Sequence, residues 1–156
     1  ETLHDKLSIA GCDLLNETLP KIFSGDISPE KQDDSEATFA RNILREDEKI
    51  DWNTSARDVF NKVRALDPTP GAFTYLEGNV LKIWSSEEVN QDVEAKFDKV
   101  GTIIKQDKKN IYVLCGNGTV LKVNELQVSG KKRMPVVNFL SNKKDYVGTV
   151  LGEENE

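Results

Sequence analysis

A single histidine, two cysteines and the absence of any long apolar run narrow what this 156-residue chain can be. No stretch approaches the roughly 18 consecutive apolar residues of a membrane-spanning helix. Glu1 opens directly in polar helical sequence, with no basic segment followed by an apolar one, so no targeting segment is legible. Cys12 and Cys115 lie in segments of different character, and there is no Cys-x-x-Cys pair or Cys/His ligand set. The expectation is a soluble, cytoplasmic protein with no metal and no membrane partner.

Catalytic chemistry is equally sparse. His4 falls on the polar side of a predicted helix, with no neighbours that would complete a triad. Gly116 and Gly118 form a Gly-x-Gly, but it joins two predicted strands and so reads as a hairpin, not a phosphate loop. Asp33-Asp34 and Glu87-Glu88 are read as solvated carboxylates in polar loops. No catalytic constellation is predicted.

The net charge of −6 conceals an asymmetry. Residues 1–98 carry 11 basic and 21 acidic side chains, residues 99–144 carry 10 basic and 2 acidic, and residues 145–156 add four acidic ones. A segment of +8 in an acidic chain creates a local field that attracts polyanions; on composition alone a solvated lysine surface is the favoured reading, since exposed lysines are ordinary.

Leu3, Leu7, Ala10 and Leu14 recur at helical spacing, extended by Leu15, Leu19, Ile22 and Phe23. Pro20 is expected to kink or loosen the last turn and Ser24-Gly25 to stop it. This apolar stripe needs a partner surface, which is expected upstream of Glu1, as part of a longer protein. Residues 26–36 read as an exposed connection. Residues 38–49 are ambiguous between a short strand and an irregular arm. Asn53, Thr54 and Ser55 offer caps for a short helix carrying Ala56, Val59, Phe60, Val63 and Leu66, ended by Asp67-Pro68.

Beyond Pro70-Gly71 the period changes to that of strands, predicted at 72–76, 79–84, 101–105, 110–115 and 119–126. Glu77-Gly78-Asn79 and Gly116-Asn117-Gly118 carry residue types suited to hairpin turns. A turn of helix near Pro135, within 134–140, and an edge strand at 146–151 complete the expectation of a small barrel, followed by a frayed acidic tail. Trp52, Trp84, Phe60 and Phe73 occupy patterned apolar positions and are assigned to the core.

The stretch IDWNTSARDVFNKVRALDPTPGAFTYLEGNVLKIW, residues 50–84, resembles the C-terminal domain signature of methionyl-tRNA formyltransferases. Its Ile-Asp-Trp, its Pro-x-Pro-Gly-Ala-Phe and its Lys-Ile-Trp carry the likeness. ETLHDKL and the segment around Pro29 are similar to that family's last catalytic-domain helix and linker. Gly101-Thr102-Ile103, Cys115-Gly116-Asn117-Gly118 and Gly130-Lys131-Lys132-Arg133-Met134 are similar to its remainder.

The resemblance implies a mainly β fold with flanking helices: a small open β-barrel of the oligonucleotide-binding (OB) type preceded by an amphipathic helix and linker. It divides the chain into the terminal helix of an upstream Rossmann-like domain (1–25), a linker arm (26–49), the barrel domain (50–152) and a disordered tail (153–156). It further implies a parent enzyme that moves a formyl group from 10-formyltetrahydrofolate, as co-substrate, to methionyl initiator tRNA. The catalytic Asn, His and Asp and the folate pocket belong to the upstream catalytic domain, so this segment is expected to be inactive alone and to hold no cofactor. Its partners are then initiator methionyl-tRNA and that upstream domain.

With the resemblance, the basic segment is read as an RNA-contacting flank. The expected tRNA-binding residues are Arg41 and Arg45 in the arm, Lys108 and Lys109 on a hairpin, and Lys131, Lys132 and Arg133 in the densest cluster. Asn42 stands where the family often has a basic residue. Two alternatives remain open: the C-terminal module of a related sugar-nucleotide or folate formyltransferase, and a non-catalytic barrel that docks a protein.

Overall fold

Two units make up the chain, Glu1–Asn42 and Ile43–Glu156, and the computed structural model describes residues 2–89 and 97–153. The division falls inside the segment read as a linker arm. The predicted tail, apart from Glu153, lies outside the described residues.

In the first unit the leucine stripe forms helix α1, Thr2–Ser24. Pro20 lies inside it, and the helix runs on to Ser24 before Gly25, at φ 75°, takes the left-handed conformation that ends it. No residue of α1 is buried, and Leu3, Leu7, Leu14 and Leu15 are each more than half exposed. Further on, the Asp33 carboxylate accepts from the Ser35 N–H at 2.9 Å and caps a single 3-10 turn, Asp34–Glu36.

Residues 38–44 of the arm are irregular, one helical turn follows as α2 (Arg45–Glu48), and Lys49 makes an isolated parallel bridge to Phe73. Helix α3 (Ala56–Leu66) follows. The Ser55 hydroxyl accepts from the Asp58 N–H at its first turn. Its inward face buries Ala56, Val59, Val63 and Leu66, the larger three contributing about 1.5–3 kcal/mol each when fully withdrawn from water.

Six strands then form one antiparallel sheet: β1 (Ala72–Leu76), β2 (Asn79–Val89), β3 (Ile103–Gln106), β4 (Ile111–Leu114), β5 (Val120–Val128) and β6 (Met134–Pro135). Their order is β1-β2-β5-β4-β3, with β6 on β5. Glu77 and Gly78, at φ 49° and 75°, make the two-residue hairpin between β1 and β2, whose twist matches that of the strands. Asn117 at φ 58° and Gly118 at φ 68° turn β4 into β5. Ile83, Ile103, Val113, Leu121 and Leu126 fill the interior and are joined by Val136 of α4 (Val136–Phe139).

Two expectations are corrected. Glu87 and Glu88 do not lie in a loop: β2 continues past a bulge at Ser85 and Ser86, and Glu87 pairs across the sheet with Lys122. Opposite charges directly across antiparallel strands hold that extension. The segment 146–151 is not a full strand, because Gly148 at φ 89° turns the backbone. It keeps a bridge from Thr102 to Val150 and bonds from Ile103 N–H to the Thr149 carbonyl and from Leu151 N–H to that of Gly101, both 2.8 Å. The turn of helix expected near Pro135 is α4, with Pro135 as its N-cap, while Met134 and Pro135 also pair with Leu126 and Glu125. Among the described residues, no helix is long and apolar enough to cross a membrane.

Candidate nucleic-acid interface

The signature residues build the scaffold on which the cations sit. Trp52 is buried, and its indole N–H donates to the Thr74 hydroxyl at 3.0 Å, so this polar group is satisfied inside the core. The Gly116 N–H donates to the carbonyls of Trp52 (2.9 Å) and Thr54 (2.8 Å), while the Thr119 hydroxyl accepts from the Ala56 N–H at 2.8 Å. The hairpin thereby locks the start of α3. At the Pro-Gly-Ala-Phe turn, a Cβ on Gly71 would stand 2.5 Å from the Trp84 ring, which explains why glycine precedes Ala72-Phe73 when a Lys-Ile-Trp strand lies beneath it.

Phe73 and Lys82 are cross-strand partners, as are Lys82 and Gln127, so these side chains share one face of the sheet. Cations cover its aromatics. The Arg45 guanidinium lies 3.7 Å from the Phe73 ring centroid, Lys49 lies 5.1 Å from Tyr75, and Lys82 and Arg133 lie 5.4 and 5.3 Å from Trp84. Phe73 and Trp52 are core residues as read, whereas Phe60 and Trp84 are half-buried.

The predicted basic residues separate by what surrounds them. Arg133 donates to Glu125 through Nε (2.8 Å) and Nη2 (2.5 Å), and to Asp67 through Nη1 (2.9 Å). Burial would lower its pKa, but these carboxylates raise it above its ordinary value, so the charge is fixed and locally neutralised. Arg45 pairs with Glu48. Arg41 belongs to the first unit, is exposed, and donates to the Asn42 carbonyl at 3.1 Å.

Lys108, Lys109, Lys131 and Lys132 are exposed and, among the described residues, form no ion pair. Lys108 and Lys109 tip the β3–β4 turn. The Asp107 carboxylate organises that turn, accepting from Lys109 N–H (2.7 Å), Asn110 N–H (2.8 Å) and the Tyr112 hydroxyl (2.9 Å). Its burial raises the pKa, and these bonds outweigh it and hold the group below its ordinary value. Lys131 and Lys132 follow β5 in a loop whose Lys131 N–H donates to the Val128 carbonyl at 3.0 Å.

The two lysine pairs are connected through α4 and the turn behind it. Ser141 lines both an open groove containing Lys108 and a separate cavity of about 330 Å³ with Lys131 at its rim. Gln127 links that loop to the aromatic face, accepting from the Trp84 indole at 3.1 Å and donating to the Lys131 carbonyl at 2.8 Å. For a phosphate the free lysines outrank the arginines. Displacing Glu125 and Asp67 from Arg133 costs existing bonds, whereas an unpaired exposed lysine only releases water.

The internal pairing of Arg133 was missed from sequence because Asp67 lies 66 residues away and Glu125 meets the loop only through the β5–β6 pairing. Lys143 was also missed; it is exposed, at φ 58°, beside Lys144, which pairs with Glu77. Both carry only the ordinary signal of a lysine doublet. His4 is exposed and faces Asp5. No group of three His, Cys, Asp or Glu side chains suited to a metal occurs among the described residues.

Residues 42–144, which hold this sheet and the Trp52–Gly116 lock, match the family described as formyl transferase, C-terminal domain. The chain belongs to that family. It is 49% identical over 155 residues to a methionyl-tRNA formyltransferase from Bacillus velezensis and 46% identical to one from Bacillus subtilis. Both alignments cover 99% of this chain and 48% of the relative, so the chain spans about half the length of the curated relatives it matches. Among solved structures, HypX from Aquifex aeolicus in complex with tetrahydrofolic acid superposes with a TM-score of 0.59 over 83% of this chain and 22% of that one. A HypX variant covers 92% of this chain with a TM-score of 0.62. Sequence identity is 18% in both, a likeness of fold alone.

Proposed function

We propose that the chain is the tRNA-binding C-terminal part of a methionyl-tRNA formyltransferase that acts in the cytoplasm. The whole enzyme transfers a formyl group from 10-formyltetrahydrofolate to the amino group of methionyl initiator tRNA. This segment grips the tRNA, and an upstream catalytic domain performs the transfer. One observation carries the reading: the lysine pairs 108–109 and 131–132 are exposed and form no ion pair among the described residues, and Lys108 and Lys131 line two spaces that share Ser141. Such cations follow a phosphate backbone by charge, without reading most bases.

In this reading the sheet is an open barrel of the OB type. Its support is the segment 148–152, which bonds to Ile103 and Gly101 on the β3 side and, through Gly152 N–H, to the Tyr75 carbonyl of β1 at 2.9 Å. Residues 1–25 are the last helix of the catalytic domain, 26–49 the linker arm and 50–152 the barrel domain. Arg41 supplies a contact from the arm. Arg45 and Arg133 contribute mainly by fixing the aromatic face.

The test joins this chain to the catalytic portion of the Bacillus subtilis relative. The fusion should formylate methionyl-tRNA, and the chain alone should not. Replacing Lys108, Lys109, Lys131 and Lys132 by Ala in the fusion should raise KM for the tRNA with little change in kcat. Transfer by the chain alone, or an unchanged KM, would contradict the assignment.

A further inference from the structure

A cavity of about 330 Å³ beside α4 has Lys131 among its lining residues, and its volume is that of a small-ligand site. Leu76, Leu81 and Met134 supply apolar lining, and Phe139 and Tyr146 stand on one side with ring centroids 4.9 Å apart and planes 27° apart. Tyr146 is buried and its hydroxyl is held by the Asn142 amide at 2.9 Å, so the aromatic wall is fixed before anything binds.

Two polar groups at this cavity are uncommitted among the described residues. The exposed Asn138 side chain makes no hydrogen bond, although its backbone carbonyl accepts from the Ser141 hydroxyl at 2.7 Å. The Lys131 ammonium has no carboxylate partner. An apolar slot with an aromatic wall, a free amide and a cation at the rim matches a base, its hydrogen-bonding edge and its phosphate.

We propose that this cavity receives one unstacked nucleotide of the bound RNA, with its base beside Phe139, its edge on the Asn138 amide and its phosphate on Lys131. The inference rests on the RNA-binding reading of the same end of the sheet and adds to it a single-stranded element. Base stacking on an aromatic side chain tolerates any base, and the amide offers one donor and one acceptor for some discrimination. Charge favours RNA, since Lys131 lines the cavity and Lys108 the neighbouring groove, and neither has a carboxylate partner among the described residues. The neighbouring groove, which shares Ser141 with the cavity and contains Lys108, favours a strand with further phosphates over a free mononucleotide.

The experiment measures binding of the full chain to three probes: a single-stranded RNA hexamer, a blunt RNA duplex and adenosine monophosphate. For the hexamer, Phe139→Leu should weaken binding about fivefold or more by removing the stacking surface. Asn138→Ala, an exposed change that leaves the fold intact, should weaken it about threefold or more. Neither should alter the slope of log affinity against log salt, because neither removes a charge. The duplex should bind both variants like the unmodified chain, and the mononucleotide should bind far more weakly than the hexamer. Hexamer binding that falls with Lys108→Ala but ignores Asn138→Ala would overturn the pocket and leave the RNA reading standing. Failure of both RNAs to bind would overturn both, and a mononucleotide as tight as the hexamer would overturn the strand.

Discussion

Gly116 packs directly on the backbone of Asn53: a Cβ at position 116 would stand 1.8 Å from the Asn53 carbonyl oxygen. That contact is between two backbone segments, each already tied by hydrogen bonds, so neither yields cheaply. Gly116→Ala is therefore expected to destabilise the fold by about 2–3 kcal/mol, the upper range for overpacking. Urea denaturation checks this, and a loss below half of that would mean the hairpin moves freely against the start of α3.

Arg133 should behave as a structural residue more than as an RNA contact. Arg133→Ala removes bonds to Glu125 and Asp67 on a half-exposed surface and should cost about 1 kcal/mol of stability, because solvent screens such pairs. It should leave the salt slope of tRNA binding nearly unchanged. A drop of a full unit in that slope would place Arg133 among the phosphate contacts instead.

The two thiols should differ sharply. Burial pushes the Cys115 thiol up to about 12, so it stays protonated at neutral pH, whereas Cys12 is exposed on α1. Ellman titration of the folded chain should count one fast thiol, and two only in denaturant. Fast reaction of both in the folded state would contradict the packing around the hairpin.

The acid limb of stability should report on the β3–β4 turn. Asp107 has a lower pKa folded than unfolded, despite the opposing effect of its burial, owing to bonds from Lys109, Tyr112 and Asn110. Its contribution is complete above the unfolded value near 3.8 and disappears as pH falls through the folded one. Asp107→Asn should lower stability at pH 7 and reduce the further loss between about pH 4 and pH 2. Thermal unfolding across that range is the check, and equal acid sensitivity in both proteins would remove the Asp107 contribution.

Much of the fold was legible because its signals are local. Ser55 capping α3, the Glu77-Gly78 hairpin and the leucine period of α1 each declare themselves within a few residues. What escaped depends on distant partners. β2 outruns its apolar stretch because β5 runs on opposite it, with Lys122 facing Glu87, and 146–151 stops short of a strand because Gly148 turns it. At the interface, charge density located the lysine loops but did not separate free cations from neutralised ones, since Arg133 and Lys131 look alike in the string GKKR. Nothing in sequence placed Asn138, Phe139 and Tyr146 around one cavity, as their convergence is created by the turn after α4.

The central claim is that free lysines at one end of the sheet hold RNA phosphates, and the salt dependence of tRNA binding tests it most directly. Log affinity should fall linearly with log salt with a slope of about −4, from roughly 0.7–0.9 unit for each phosphate neutralised by the four lysines and Arg41. With Lys108, Lys109, Lys131 and Lys132 all replaced by Ala, the slope should shrink to about −1 or less in magnitude. A quadruple variant that keeps both the affinity and the slope of the unmodified chain would contradict the claim.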